Sequence, residues 1–501
     1  MIQTNASPTL DGLFRRVLAR KPDGLALLDP PNKLRVTGQL PKRLTFAEAD
    51  RAITALSAHF IESGLPNNSV IAVQLPNTIE FMLTVLAAHR AGLVVALLPL
   101  LWRQAELTVA LNRTGARAIV TTSKIDGVSH ADLAMNAAAE AFSIRHVCGF
   151  GNDLPEGMAS LDLALETRST TTRAVVQDGR KAAIISFDVT AEGFRPVPRT
   201  HLGLIAGGLA LSLESDVPQG ATVMSAFAPS SFAGLTSSLM VWLLSGGALA
   251  LHHPFEADVL ERQINEHGCE TLIAPAQLAL RLSEIEMASR LPALRQVIAL
   301  WRAPEQVASS PLWNAGPAIL TDVYLFGEAG MFSARRGDDG APLPILPGPH
   351  GAPRNVPGAS IAGEVLLTPK GTLGLRGPMV TPAAYAPALA PQSDQLMAQP
   401  PRDYVDTEYA ARLDRSTGAI NITAPPSGVM AVGGYRFLSH DLQEWAKRLG
   451  QGALLTALPD RISGHRLAGR ANDNARAREA LNELGLNPLM VEAFRDRANS
   501  T

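Results

Sequence analysis

From Val70 to Thr122 the chain alternates short β-branched runs with stretches whose apolar residues recur at helical spacing. Val70 to Leu75 ends at Pro76-Asn77, and Ile79, Met82, Leu86 and His89 then mark one face of a helix. Val94 to Leu98 is the next strand, Leu107 to Leu111 the next helix, and Ala118 to Thr122 the strand after it. Strand, helix, strand in this order is the grammar of a parallel sheet covered by helices, so an α/β fold is expected. A second such stretch runs from Ala182 to about Leu325, with strands near Ile184, Val223, Ala248, Leu272, Val297 and Leu320. Upstream, Leu10 to Leu18 reads as a helix, and Thr45 caps a long helix through Ile61. Glu48, three residues after Thr45, completes a capping box.

At 501 residues, with 46% apolar and 18% charged, the chain exceeds one hydrophobic core and is neither disordered nor membranous in composition. Gly340 to Gly358 and Pro382 to Pro401 read as connections or surface loops. A small C-terminal unit is expected from about Pro425, with helices at Leu442 to Leu449 and Ala475 to Leu484. The division is therefore 1–424 and 425–501. A formal charge of -2, with no basic stripe, gives no electrostatic reason to bind nucleic acid or an anionic membrane. No run reaches the roughly 18 apolar residues of a membrane span, and the N-terminus lacks the order of a signal peptide. Stable membrane insertion is thus not expected. Cys148 and Cys269 stand far apart, outside any paired spacing, which favours a reducing, cytoplasmic setting.

Several blocks together give a resemblance. Leu44-Thr45-Phe46-Ala47-Glu48, Leu75-Pro76-Asn77, Arg90-Ala91-Gly92 and Leu111-Asn112-Arg113-Thr114-Gly115-Ala116 are followed, in order, by Ser245-Gly246-Gly247-Ala248, Pro275, Arg376-Gly377-Pro378, Gly433-Gly434 and Leu458-Pro459-Asp460. The chain resembles the adenylate-forming superfamily, the AMP-forming acyl-CoA synthetases and their relatives. The resemblance implies a large N-terminal domain of helix-covered, mainly parallel sheets and a small mobile α+β C-terminal domain. It also implies activation of a carboxylic acid by ATP and Mg2+ to an acyl-adenylate, then transfer to a thiol such as CoA. A carboxylic acid or an acyl-CoA is the implied small-molecule partner.

The motifs that carry this chemistry are altered. Residues 186 to 201, Ser-Phe-Asp-Val-Thr-Ala-Glu-Gly-Phe-Arg-Pro-Val-Pro-Arg-Thr-His, fall where the family has a phosphate-gripping loop rich in Gly, Ser and Thr with one lysine. Thr190 and Gly193 remain as nucleotide-binding candidates, and Arg195 takes the lysine's place as a catalytic one. Asp188 stands at a hydroxyl position, and Val189, Glu192 and Pro196 stand at glycines. Val189 and Pro196 restrict the backbone turn toward phosphate, and Pro196 removes a donor. At about 4 Å and an effective dielectric of about 20, each added carboxylate repels a unit charge by roughly 4 kcal/mol. One cation, Arg195, does not offset both; the other reading of the segment is an ordinary surface loop.

Downstream, Asp322 to Glu328 aligns with the segment ending in Thr-Glu, with Gly327 in the threonine's place. The resemblance puts Tyr324 on adenine and Glu328, a catalytic candidate, on magnesium; the bland reading of Glu328 is a solvated charge. Trp301-Arg302-Ala303-Pro304 occupies the family's Gly-Gly-Ala-Pro position, so the nucleotide-site candidates Trp301 and Arg302 stand where adenine lies, and Trp301 either fills part of that pocket or offers a planar ligand a stacking face. Ser231, Phe232 and Gly234 fall beside the acyl pocket. Thr407-Glu408-Tyr409 stands where an aspartate grips ribose. The hinge Ala424-Pro425-Pro426-Ser427-Gly428 lacks the family's charges, and no lysine follows Lys447. Two outcomes are open: a ligase with impaired or lost adenylation, or a catalytically silent pseudo-ligase that binds an acyl ligand or regulates.

Overall fold

Val70–Val73 pairs in parallel with both Val94–Leu97 and Ala118–Thr122, and all three strands are buried on both faces. This is why they read as unbroken apolar runs rather than alternating ones. The computed structural model describes residues 7–166, 175, 178–314, 316–351, 363–381, 384–386, 403–460 and 463–495. Helix Ile79–Arg90 is the crossover between two of these strands and is buried along its whole length. The sheet is seven-stranded, ordered 193–200, 182–190, 94–97, 70–73, 118–122, 146–150 and 159–160. Helix Phe46–Glu62 begins at the Thr45 capping box, and helix Leu10–Arg20 precedes it.

The second α/β stretch builds an eight-stranded sheet whose centre, strands 249–251, 223–225, 271–275, 296–301 and 319–326, is parallel. Its edge is a hairpin in which Ile319–Phe326 turns back into Gly330–Arg335. A five-stranded antiparallel sheet follows, ending at Ile420–Ala424. Within the Gly340 to Gly358 stretch the structure places a short strand, Gly348–His350; residues 352–358 lie outside the described residues. Most of Pro382 to Pro401 lies outside them too.

The expectation for 186–201 is corrected: the segment is a β-hairpin, not a loop. Ala182–Thr190 and Gly193–Thr200 pair antiparallel with Asp188 opposite Arg195 and Thr190 opposite Gly193, around the two-residue turn Ala191-Glu192. Phe187 and Phe194 stack at 5.2 Å and both pack on Trp102. Such cross-strand aromatic pairing stabilises a ladder. Pro196 and Pro198 are tolerated because Gly193–Thr200 is the outermost strand of its sheet.

After Ala424 the chain makes a hairpin, Val429–Val432 with Tyr435–Leu438, turning through Gly433-Gly434. Gly433 has φ +57, the left-handed conformation a tight hairpin turn requires. Helices Ser439–Arg448 and Asn474–Glu483 and a second hairpin, 454–470, complete this unit. Its apolar cluster, including Leu442, Leu455, Leu467, Leu481 and Phe494, draws its buried residues from 432 to 494 alone. Among the described residues no helix is long and apolar enough to cross a membrane.

Candidate functional site

The edges of the two large sheets meet at Asp188. Its Oδ2 accepts the Glu328 amide at 2.9 Å, and its Oδ1 accepts the Val189 amide at 2.9 Å. The same Oδ1 receives Arg436 Nη1 at 3.0 Å, from the C-terminal hairpin. Arg436 also donates through Nη2 to the Tyr409 hydroxyl at 3.0 Å. Burial works against the guanidinium's charge, but Asp188 and then Tyr409 outweigh it and raise its pKa. Beside this pair lies Gly327, in the left-handed conformation at φ +57. A Cβ there would sit 2.3 Å from Arg436 Nη1 and 2.7 Å from Asp188 Oδ2. Glycine is the residue this packing admits.

Glu328 turns the other way and is buried. Its Oε2 accepts the Phe232 amide at 2.9 Å, at the start of the short helix Phe232–Leu235. Arg199 donates through Nη2 to the carbonyl of Glu328, and at 3.0 Å to that of Ala329. Burial pushes the Glu328 carboxyl up to about 7, Asp188 adds to the rise, and Phe232 and Arg199 oppose it. Arg199 is itself lowered by burial to about 10. The solvated-charge reading of Glu328 is corrected accordingly.

Between the two large sheets and the C-terminal unit lies a cavity of about 680 Å3. Its lining is aromatic from both parts of the chain, with Trp102, Phe187, Phe194 and Phe227 from the N-terminal part and Tyr435, Phe437 and Trp445 from the C-terminal unit. Asp188, Ser231, Arg302, Gly327, Glu328 and Arg436 all line it. The Tyr435 hydroxyl accepts the Leu101 amide at 3.0 Å and so ties the C-terminal hairpin to the rest of the cavity lining. Burial pushes the Tyr435 phenol up to about 12.

The residues singled out from sequence therefore divide. Ser231, Arg302 and Glu328 reach the cavity, whereas Phe232 and Gly234 pack behind it. Phe232 is covered by Arg199 at 4.2 Å, and a Cβ on Gly234 would strike the Ala228 carbonyl at 2.0 Å. Trp301 is 2% exposed, with its indole N–H on Asp322 at 2.7 Å, so it offers no stacking face. Tyr324 is buried against Phe332. Strand Ile319–Phe326 runs on past Tyr324, and the two-residue alternation sends Leu325 to the cavity instead. Thr190 and Arg195 line a separate pocket of about 40 Å3, with Asp406 and Glu408, large enough for roughly a water or two. Thr190 Oγ1 accepts the Glu192 amide at 3.3 Å, a local turn bond, and Gly193 has φ +111 in open space. His252, bonded to Gln263 at 2.7 Å, and Glu256, whose amide donates to it at 3.1 Å, form a structural set.

Sequence reasoning missed Arg436. It also read Tyr409 only as an absent carboxylate, although its hydroxyl holds Arg436. The signal that could have found Arg436 is a lone cation placed two residues after the Gly433-Gly434 turn, in an otherwise uncharged Val429–Leu438 segment.

Two stacked helix-covered sheets, a small C-terminal unit and a cavity enclosed between them define a two-domain acyl-CoA synthetase-like α/β fold. The AMP-binding enzyme family model matches residues 14–381, and the chain belongs to that family. The medium-chain fatty-acid–CoA ligase of Escherichia coli K12 is 27% identical over 179 residues, 35% of this chain and 31% of the ligase. The chain thus spans about a third of that relative's length. Among solved structures, apo MbtA of Mycobacterium smegmatis is similar with a TM-score of 0.68 at 20% identity, over 96% of this chain and 89% of that one. The amide bond synthetase McbA of Marinactinospora thermotolerans follows at 0.67 and 17%, over 96% and 94%. At such identities these structures speak to the fold.

Proposed function

We propose that this chain binds a carboxylic acid, or an acyl derivative such as an acyl-CoA, in the interdomain cavity, and that its adenylation step is impaired or lost. The division into 1–424 and 425–501 belongs to the same proposal. The observation that carries it is the Asp188, Arg436 and Tyr409 constellation, which occupies the space beside Gly327 and Glu328.

Family members generally use ATP and Mg2+, and acyl-CoA ligases use CoA. The residues here fit that nucleotide poorly. The 182–200 backbone is an extended hairpin that turns only at Ala191-Glu192, and the Val189 amide is taken by Asp188, so the segment does not curl into a nest for phosphate. Glu328 accepts a backbone amide and burial raises its pKa, which favours the protonated form, a weak prospect for a hard cation. Trp301 and Tyr324 are packed in the core, which leaves adenine without the aromatic face that the resemblance implied.

The competing reading is a working ligase whose Arg436 withdraws to admit the nucleotide. The size of the cavity and the presence of Glu328 on its wall favour it. Thermal shift with Mg-ATP separates the two, because binding to the native state alone raises the midpoint by mass action. No shift at millimolar Mg-ATP and no acid-dependent ATP–pyrophosphate exchange are expected. Either signal would sink the reading that adenylation is lost.

A further inference from the structure

Four arginines drawn into the interior have partners. Arg90 pairs with Asp11, Arg336 with Asp322 and Arg436 with Asp188, while Arg199 donates to two carbonyls. Arg302 differs. One face of its guanidinium lies on the Phe227 ring at 4.2 Å, and Gly434 covers it from the C-terminal hairpin. A Cβ on Gly434 would fall 2.9 Å from the guanidinium carbon, so only glycine lets the hairpin approach this closely. Among the described residues no carboxylate forms an ion pair with Arg302 and no acceptor takes a hydrogen bond from it; Tyr435 is the titratable neighbour that acts on it. Burial lowers its pKa to about 10, which leaves it charged at neutral pH.

Arg302 is half-buried at the cavity wall, so its guanidinium has water in place of a protein partner there, and a ligand anion that replaces that water gains a charge-assisted pair. Arg302 lines the 680 Å3 cavity, whose Trp102, Phe187 and Phe194 wall accepts an apolar body. The charges on the wall limit the ligand's head. Asp188 already satisfies Arg436, and Glu106 caps the helix Gln104–Thr114 through the Arg103 amide at 2.9 Å. A polyphosphate would share the cavity with Asp188, Glu106, Glu328 and Asp441, with one cation outside any ion pair to set against its charge. A single planar carboxylate matches the guanidinium fork in both charge and shape.

We propose that Arg302 is the headgroup anchor for an organic monocarboxylate whose apolar body lies along the Trp102, Phe187 and Phe194 wall. The anion then sits at the position where the family places its Gly-Gly-Ala-Pro segment. Gly434 closes over the anchor, so the C-terminal hairpin forms one side of the headgroup site. This rests on the reading that the cavity holds an acid, and adds where the acid's charge is bound.

The test is calorimetric titration of the full chain with octanoate, decanoate and 2-naphthoate, with decanamide and decyl phosphate as comparators. At least one carboxylate is expected to bind, decanamide to bind about tenfold more weakly or worse, and Arg302→Gln to weaken the carboxylate by about tenfold or more. Arg302→Lys should recover part of the loss. Carboxylate binding that Arg302→Gln leaves intact, amide binding equal to acid, tighter decyl phosphate than decanoate, or no binding by any carboxylate overturns the proposal. A folding defect is controlled by the unliganded midpoint of Arg302→Met, which should stay close to that of the parent because no ion pair or hydrogen bond is broken and the methionine still packs on Phe227. A clear fall would assign Arg302 a structural role and also overturn it. Failure of the function proposed above looks different: Mg-ATP stabilises the parent and Arg302→Gln alike.

Discussion

Removing the Arg436 guanidinium should release the C-terminal unit by an amount the geometry bounds. The pair is well sheltered, with side-chain exposures of 14% for Arg436 and 7% for Asp188. Deleting one partner of a buried pair costs about 3–5 kcal/mol, because the remaining charge stays buried. In Arg436→Met, however, the Asp188 carboxylate keeps its two backbone donors, from Val189 and Glu328. The loss is therefore set near the lower end, about 3 kcal/mol, or more than about a hundredfold in the ratio of docked to undocked C-terminal unit. Amide hydrogen exchange across 429–438 reports that ratio directly, with protection falling by about two orders of magnitude. Asp188→Asn should cost at least as much, since it strips the sheltered guanidinium of its counter-charge and turns an amide NH2 toward the Glu328 or Val189 N–H. The double variant should fall short of the sum by about 1–3 kcal/mol. Additivity within about 0.5 kcal/mol, or unchanged protection in Arg436→Met, would refute the claim that this pair pins the unit.

Two further outcomes are expected. Gly327→Ala combines left-handed backbone strain with a Cβ 2.3 Å from Arg436, so denaturation should show a loss of about 2 kcal/mol or more, partly relieved in the Arg436→Met background. Glu328 has its folded pKa raised from 4.5 to about 7, so the folded state holds the extra proton. Stability should decline as pH rises from about 4.5 through 7 and level off above, by about 3 kcal/mol in all. Urea unfolding at pH 5 and pH 8 should show that decline in the parent and its loss in Glu328→Gln; an equal decline in both would contradict the assignment.

The architecture was legible because local signals agreed with the packing. The β-branched runs at 70–75, 94–98 and 118–122 and the Thr45 cap all mark elements that exist. The site was less legible, for two physical reasons. The first is that the form of 182–200 is decided by pairing across its turn, Phe187 beside Phe194 and Asp188 opposite Arg195, whereas its place in the chain invited comparison with a loop. The second is distance: Asp188 and Arg436 lie 248 residues apart, and no local pattern couples them. Tyr324 shows a smaller case, in which one step of strand pleat carries the aromatic ring to the core face and Leu325 to the cavity.

The positions at 188, 327 and 409 read along the chain as three separate departures, yet in space all three touch Arg436. This imposes an order on substitutions at these positions. A threonine cannot be put back at 327 while the guanidinium occupies that volume, and an uncharged residue at 188 strands the guanidinium if it goes in first. A path that begins at 436 leaves Asp188 on its two backbone donors, so the site behaves as a latch that opens from one side.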